Sequence, residues 1–176
     1  MSTPFDIPIT APSGGGGLPQ VAIVSQANDV YSSSVPSDAT GVLLADFEIL
    51  ITPTSATQKV YLSGVINGEW ASAPQHGNII LYRNGTSLAP TSGETNNRKV
   101  NGQFLVNYGA GAEASVTPES CPFSFMDEPE TTAEIKYEVH LVSSQSVQSF
   151  YFNRPAAEGN QTYFKRFTSS FSAQCF

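Results

Sequence analysis

The chain has 176 residues, enough for one domain and too few for two well-filled cores with a linker. Hydrophobic residues make up 40% of it and charged residues only 13%, against about 25% in an average globular protein, so uncharged side chains carry most of the polarity. The net charge of -7 argues against nucleic acid as a partner, and because no run approaches the roughly 20 apolar residues of a bilayer span, we expect no membrane partner.

Residues 1–20, MSTPFDIPITAPSGGGGLPQ, are predicted to form an extended N-terminal arm. Prolines and a glycine run prevent a helix, while apolar residues recur at every second position, the pattern of a segment that lays one face on a surface. We expect the glycines to act as a swivel and the arm to bind a neighbouring subunit, or alternatively to fold back on its own domain. The predicted arm contacts are Phe5, Ile7, Pro8, Ile9, Pro12, Gly14, Gly15, Gly16 and Gly17.

The same first residues lack the basic start and apolar core of a secretory signal, which predicts synthesis in the cytoplasm. From Val21 onward, apolar residues alternate with polar ones and turn residues interrupt the alternation, with no helical period over 12 residues. Ala45, Phe47, Ile49 and Ile51 would share one face of a strand.

The next predicted strand carries Val60 and Leu62 and runs up to Asn67-Gly68. Asn84-Gly85 follows another alternating run and is a strong hairpin signal, with a ragged return strand after it. Further strands are predicted around Phe104, Phe123, Phe150 and Phe171, each marked by alternating apolar residues.

The clearest alternation covers residues 133–142, where Ile135, Tyr137, Val139 and Leu141 would face the core and the residues between them solvent or a partner. About eight or nine short strands separated by turns indicate an all-β fold, an antiparallel β-sandwich or jelly roll. We therefore expect a β domain over residues 21–176 behind the arm of residues 1–20.

Candidate catalytic and metal residues are sparse in this sequence. His76 and His140 do not stand in a metal-ligand spacing, and no serine lies in a nucleophile elbow. Asp127, Glu128 and Glu130 could form an acid/base pair or a calcium site, but Pro129 interrupts them and a solvated turn is the simpler interpretation. The sequence predicts no catalytic residue, no metal and no cofactor.

Two cysteines and two aromatic residues leave alternatives open. Cys121 and Cys175 are either two buried thiols, the simpler interpretation, or one disulfide. Trp70 and Tyr82 are candidate ligand or interface aromatics that could stack on a sugar ring, although packing in a core or interface explains either residue as well.

Several segments of the chain resemble the C-terminal β domains of tailed-bacteriophage structural proteins. They are FSFMDEPETTAEIKYEVHL (123–141), FYFNRP (150–155), SSFSAQCF at the end, and, upstream, FEILITPTSATQKVYLSGVI (47–66) with IILYRNGTSL (79–88). The resemblance spans roughly residues 21–176 and implies a trimer-forming jelly roll on a virion, in a tail fibre or a head decoration (cement) protein. The chain departs from it at Gln174-Cys175-Phe176, where the family has an acidic finish.

Within that resemblance, the short chain and its arm favour a non-enzymatic protein that decorates the capsid. We expect a homotrimer located in the virion and anchored by its arms on the major capsid protein or another virion protein, with three weak arm contacts adding through avidity. The alternative is a tail-fibre or tail-tip module that binds a host glycan or protein through Trp70, Tyr82 and polar loops. A polysaccharide-degrading enzyme would need a groove with paired carboxylates.

Overall fold

A computed structural model of the chain describes residues 21–26, 32–35, 41–71, 76–88, 103–106, 118–143, 147–156 and 166–176. For β1, β2, β7, Ala45, His76 and Gln148 it describes the backbone alone. The predicted arm, residues 1–20, lies outside the described residues, so its contacts stay a prediction.

The described residues form eleven β-strands in two antiparallel sheets. The strands are β1 (Val21–Gln26), β2 (Ser32–Val35), β3 (Val42–Ile51), β4 (Val60–Trp70), β5 (His76–Arg83), β6 (Thr86–Ser87), β7 (Gln103–Val106), β8 (Glu119–Asp127), β9 (Ile135–Ser143), β10 (Gln148–Phe152) and β11 (Ser169–Cys175). The predicted all-β antiparallel class is confirmed, with more strands described than the eight or nine expected.

The long strand β4 organises the first sheet. Along one edge it pairs with β8, and its other edge is shared end to end by β11 and β10. Strand β1 flanks β11, and β2 flanks β10. The second sheet has the order β3-β9-β5, and the far edge of β5 pairs with β7 at its start and with β6 at its end.

The core lies between the two sheets and is built from the alternating positions of the strands. Phe47 on β3 meets Phe152 on β10 edge to face, with ring centroids 5.3 Å apart, and so joins the sheets directly. The predicted inward set of β9 is confirmed, because Ile135, Tyr137, Val139 and Leu141 are all fully buried. Burial of these side chains supplies the main driving force for closing the sandwich.

The structure corrects one local prediction and adds a feature to another. Asn67-Gly68 is not a turn: β4 runs through it, Asn67 donates to the Thr168 carbonyl, and the Phe150 ring occupies the space that a side chain on Gly68 would fill. In β3, Phe47, Ile49 and Ile51 are buried as predicted, and a bulge precedes them: Asp46 has φ 62° and the register with β9 shifts, so that Leu44 also enters the core.

The predicted hairpin at Asn84-Gly85 is confirmed. Both residues have positive φ, 49° and 76°, as a two-residue turn of type I′ requires. The return strand β6 is only two residues long, in agreement with the weak strand signal that follows the turn.

Candidate functional site

A charged cluster joins the two sheets at one end of the sandwich. Asp127, the last residue of β8, points inward and its side chain is only 8% exposed. Arg83 at the end of β5 donates from Nη1 to both carboxylate oxygens of Asp127 at 3.0 Å. The Tyr137 hydroxyl on β9 donates to Asp127 Oδ2 at 2.6 Å. The carboxylate of one sheet is thus held by two donors of the other.

The chemistry of this cluster is structural. Burial, and next the hydrogen bond to Asp127, raise the pKa of the Tyr137 phenol well above its usual range, while the charge of Arg83 acts in the opposite direction. The phenol therefore stays protonated at neutral pH and remains a donor. We interpret the cluster as a clamp between the sheets.

The acidic segment after β8 divides into two environments. Glu128 and Glu130 are exposed, as expected for a solvated turn, and Glu128 pairs with Lys59 at 2.6 Å. Asp127 is buried, so the solvated-turn interpretation is wrong for this residue: Arg83, 44 positions away, supplies the countercharge that lets the carboxylate enter the core. In the described part of the chain, no group of three or more His, Cys, Asp or Glu residues could hold a metal ion.

Of the two candidate aromatics, Trp70 lies on the inner side of the first sheet and Tyr82 on the outer side of the second. Trp70 is 3% exposed, packs edge to face on Phe150 with centroids 5.0 Å apart, and lies over Gly77 in the core. Tyr82 faces outward from the second sheet, where its ring stacks on His140 at 4.1 Å. The structure does not bring Trp70 and Tyr82 together, and a ligand role for either stays a prediction.

Both cysteines are free thiols buried in the first sheet, as in the simpler of the two interpretations. Cys121 pairs in register with Ile66 of β4 and Cys175 with Val60, so they lie beside well-separated positions of that strand, on its two edges. Burial, with a smaller effect of the Glu119 charge, raises the pKa of Cys121 to about 11. Burial also raises the pKa of Cys175. Neither thiol is activated as a nucleophile.

A hydrogen-bond network of uncharged groups lies where the pairing partner of β4 changes from β11 to β10. Ser169 Oγ donates to Asn153 Oδ1 at 2.7 Å and accepts from the Asn67 backbone N–H at 2.8 Å. Ser120 Oγ donates to Asn67 Oδ1. Asn153 is fully buried with φ 56°, a conformation that asparagine tolerates better than most residues. These contacts tie the residue that follows β10 and the first residue of β11 to β4.

The outer face of the first sheet carries a surface that the sequence analysis missed. Three rows cross β8, β4 and β11 in register, and we refer to these nine residues as the neutral face: Met126, Tyr61 and Gln174; Ser124, Ser63 and Ser172; Pro122, Val65 and Ser170. None of the nine is charged. The available signal was the serines at alternate positions of SSFSAQC and the single serine of VYLSG. The sequence does not show that these two strands are neighbours.

The outer face of the second sheet is different in kind. Lys136 on β9 contacts Glu138 at 2.7 Å and Glu48 of β3 at 3.7 Å, and we refer to these three residues as the charged row. The hydrogen bond to Glu138, and further the charges of Glu138 and Glu48, raise the pKa of Lys136 against an opposing effect of desolvation. On the same side of this sheet Ile80, Tyr82 and Val142 form a small cluster that is already buried.

No protein-family model matches the chain, and no curated protein sequence matches it. Among solved structures, it is similar to the VP2 subviral particle of infectious bursal disease virus, with a TM-score of 0.48 and 16% identity over 100% of this chain and 37% of that chain. It is also similar to T=1 particles derived from infectious bursal virus, with a TM-score of 0.43, 16% identity, and coverage of 99% of this chain and 44% of that chain. The chain thus spans less than half the length of either protein. A likeness at this level does not transfer a function.

In the part of the chain that the structure describes, no helix is long and apolar enough to cross a membrane.

Proposed function

We propose that the protein is a non-enzymatic structural component of a virion, specifically a decoration or cement protein on the head of a tailed bacteriophage. The observation that carries this proposal is the resemblance of five separate segments to β domains of phage structural proteins. In the structure these segments are β3 with β4, β5 with β6, β8 with β9, β10 and β11, all of them strands of one sandwich. The fold implied by the resemblance agrees with the fold described.

The interior of the sandwich supports a structural role. Its buried charges act as a clamp between sheets, its thiols are un-ionised at neutral pH, and its largest aromatic side chain packs in the core. The packing of the fold accounts for the positions of the Asp127 carboxylate, the two thiols and the Trp70 ring. Function is therefore assigned to surfaces that contact other proteins.

The proposed anchor is the arm, residues 1–20, acting on the major capsid protein or another virion protein. Burial of Phe5, Ile7 and Ile9 at about 1.5–3 kcal/mol each would give roughly 5–9 kcal/mol, and ordering about ten backbone residues would offset a comparable amount. One arm would thus bind weakly. The homotrimer implied by the resemblance would bind firmly, because its second and third contacts become intramolecular.

The test is binding to particles that lack this protein. The full chain is expected to cosediment with them, and a chain without residues 1–17 is expected to stay in the supernatant while keeping the unfolding midpoint of the full chain. Retained binding without the arm would remove the anchor role. A full chain that failed to bind shells and bound host cells or their polysaccharides would favour the receptor-binding alternative.

A further inference from the structure

The neutral face combines exposed apolar side chains with the absence of charge in its three rows. Met126 is 47% exposed and lies beside Tyr61 in the same row. Next to this row, Phe176 is 60% exposed and meets Tyr61 edge to face, with ring centroids 6.4 Å apart. The first charges beyond that end of the face are Lys59 and Glu128, which pair with each other. Exposed apolar groups in an uncharged surround are typical of a protein contact surface.

The serines in the middle row lower the cost of removing water from this face. Ser63 and Ser172 share a hydrogen bond between their hydroxyls at 2.8 Å, and Ser172 Oγ also donates to the Ser63 carbonyl at 3.1 Å. Their polar atoms already have partners within the sheet. Desolvating a satisfied hydroxyl costs far less than desolvating an unpaired hydroxyl or a charge.

We infer that the neutral face is a docking surface for a second copy of this chain. Each copy carries a net charge of -7, so two copies repel, and like charges in direct contact would add to that repulsion. The outer face of the second sheet would bring together two copies of the charged row, in which two carboxylates share one lysine. The neutral face avoids this penalty.

The order of the rows is also compatible with contact between two identical faces. An apolar row with Met126 and Tyr61 and an apolar row with Pro122 and Val65 lie on either side of the serine row. Consider two copies face to face, related by a twofold axis that lies between them and runs parallel to the serine row. The first apolar row of one copy would then lie on the second apolar row of the other. Such an isologous contact is the commonest arrangement in homo-oligomers.

The contact should be weak. Nine side chains are fewer than the roughly 20–30 residues per side of a standard interface, so we expect a dissociation constant in about the micromolar range or above. This inference rests on the composition of the face and not on the virion role. A trimer held by other surfaces would show a different mass and a different sensitivity to substitution.

The chain offers a matched pair of substitutions. Met126 and Leu50 are both exposed large hydrophobic residues, 47% and 55%, on the outer faces of the first and second sheets. Met126→Glu and Leu50→Glu make the same change of charge and polarity. Ser124→Lys adds the opposite charge at an exposed position of the serine row.

The experiment is sedimentation velocity on the full chain from about 10 µM to about 1 mM, a range set by the expected affinity. The wild type and Leu50→Glu should double in mass as concentration rises, from one chain to two or from the proposed trimer to six. Met126→Glu and Ser124→Lys should each weaken the dissociation constant at least about tenfold, since either charge would be buried without a partner.

Three results would overturn the inference. They are a mass that does not rise with concentration, a larger mass that neither Met126→Glu nor Ser124→Lys changes, and an equal loss in Leu50→Glu. Circular dichroism establishes that each variant is folded. If Met126→Glu does not fold, Ser124→Lys against Leu50→Glu decides the question alone.

Discussion

On the outer face of the first sheet, β4, β8 and β11 present serines, Tyr61 and Met126 and no charge in three successive rows. On the outer face of the second sheet, the charged row of Glu48, Lys136 and Glu138 is paired within the chain, and a small apolar cluster is already buried. The second face pairs these charges within the chain and carries the exposed Leu50 beside them. The first keeps exposed apolar groups without charge, which is what a partner surface requires.

Asp127 of the first sheet points inward, and removing its charge should have the largest effect. In Asp127→Asn, Arg83 loses its countercharge and the Tyr137 hydroxyl loses a charged acceptor. We expect a loss of about 3–4 kcal/mol in the free energy of unfolding, measured by urea denaturation. Glu128→Gln, which breaks an exposed ion pair, is the control and should cost about 0.5 kcal/mol or less. Equal losses would contradict the clamp.

The second largest effect should come from alkaline pH, which lowers the free energy of unfolding. Cys121 ionises in the unfolded chain near its ordinary pKa of 9.0 and in the folded chain at about 11, so the folded state holds a proton that the unfolded state has lost. Stability is therefore complete below pH 9 and falls as the pH rises toward 11, by roughly 2–3 kcal/mol in total for this group. The raised pKa values of Cys175 and Tyr137 act in the same direction.

Urea midpoints measured between pH 7.5 and pH 10.5 test this decline. Cys121→Ala should reduce the slope of stability against pH without abolishing it, because the other two groups remain. A slope that is identical in the variant and the wild type would show that the Cys121 thiol does not contribute.

The neutral network of the first sheet should respond to Asn153. Asn153→Ala removes the acceptor of the Ser169 hydroxyl and forces alanine into a positive φ, so we expect a loss of about 2 kcal/mol. Asn153→Gly loses the same hydrogen bond but accepts the backbone conformation, and should cost less than Asn153→Ala in thermal unfolding. The reverse order would mean that backbone strain plays no part.

The charged row should give the smallest change. Glu48→Gln removes the ion pair between the exposed side chains of Glu48 and Lys136 and leaves the contact of Lys136 with the buried Glu138 in place, and surface pairs contribute little to stability. We expect the unfolding midpoint to remain close to that of the wild type and its dependence on salt to decrease slightly. A destabilisation as large as that of Asn153→Ala would show that the second sheet depends on these charges.

Local patterns predicted the elements whose determinants are local. Alternation identified the inward face of β9, and Asn84-Gly85 identified a turn that depends on two adjacent residues. Asn67-Gly68 carries the same kind of signal but lies inside β4, because Thr168 and Phe150 supply contacts from about 80–100 positions away.

The candidate sites depend on distant pairings, and the sequence could not show them. Asp127 is buried because Arg83 of the other sheet lies opposite it. The neutral face exists only because β8 and β11 flank β4 on its two edges, which brings Ser124, Ser63 and Ser172 into one row. The alternation of β11 was visible, but its neighbours were not.

The central claim is that this domain works by assembly on a virion, and a cryo-electron microscopy map of intact particles that carry it tests the claim most directly. The account predicts density for the sandwich on the shell, with the outer face of β4, β8 and β11 turned toward a second copy. Intact particles without density for the sandwich would contradict the claim, and density confined to the tail would contradict its place on the shell. Sandwiches on the shell whose neutral faces meet only solvent would contradict the docking inference alone.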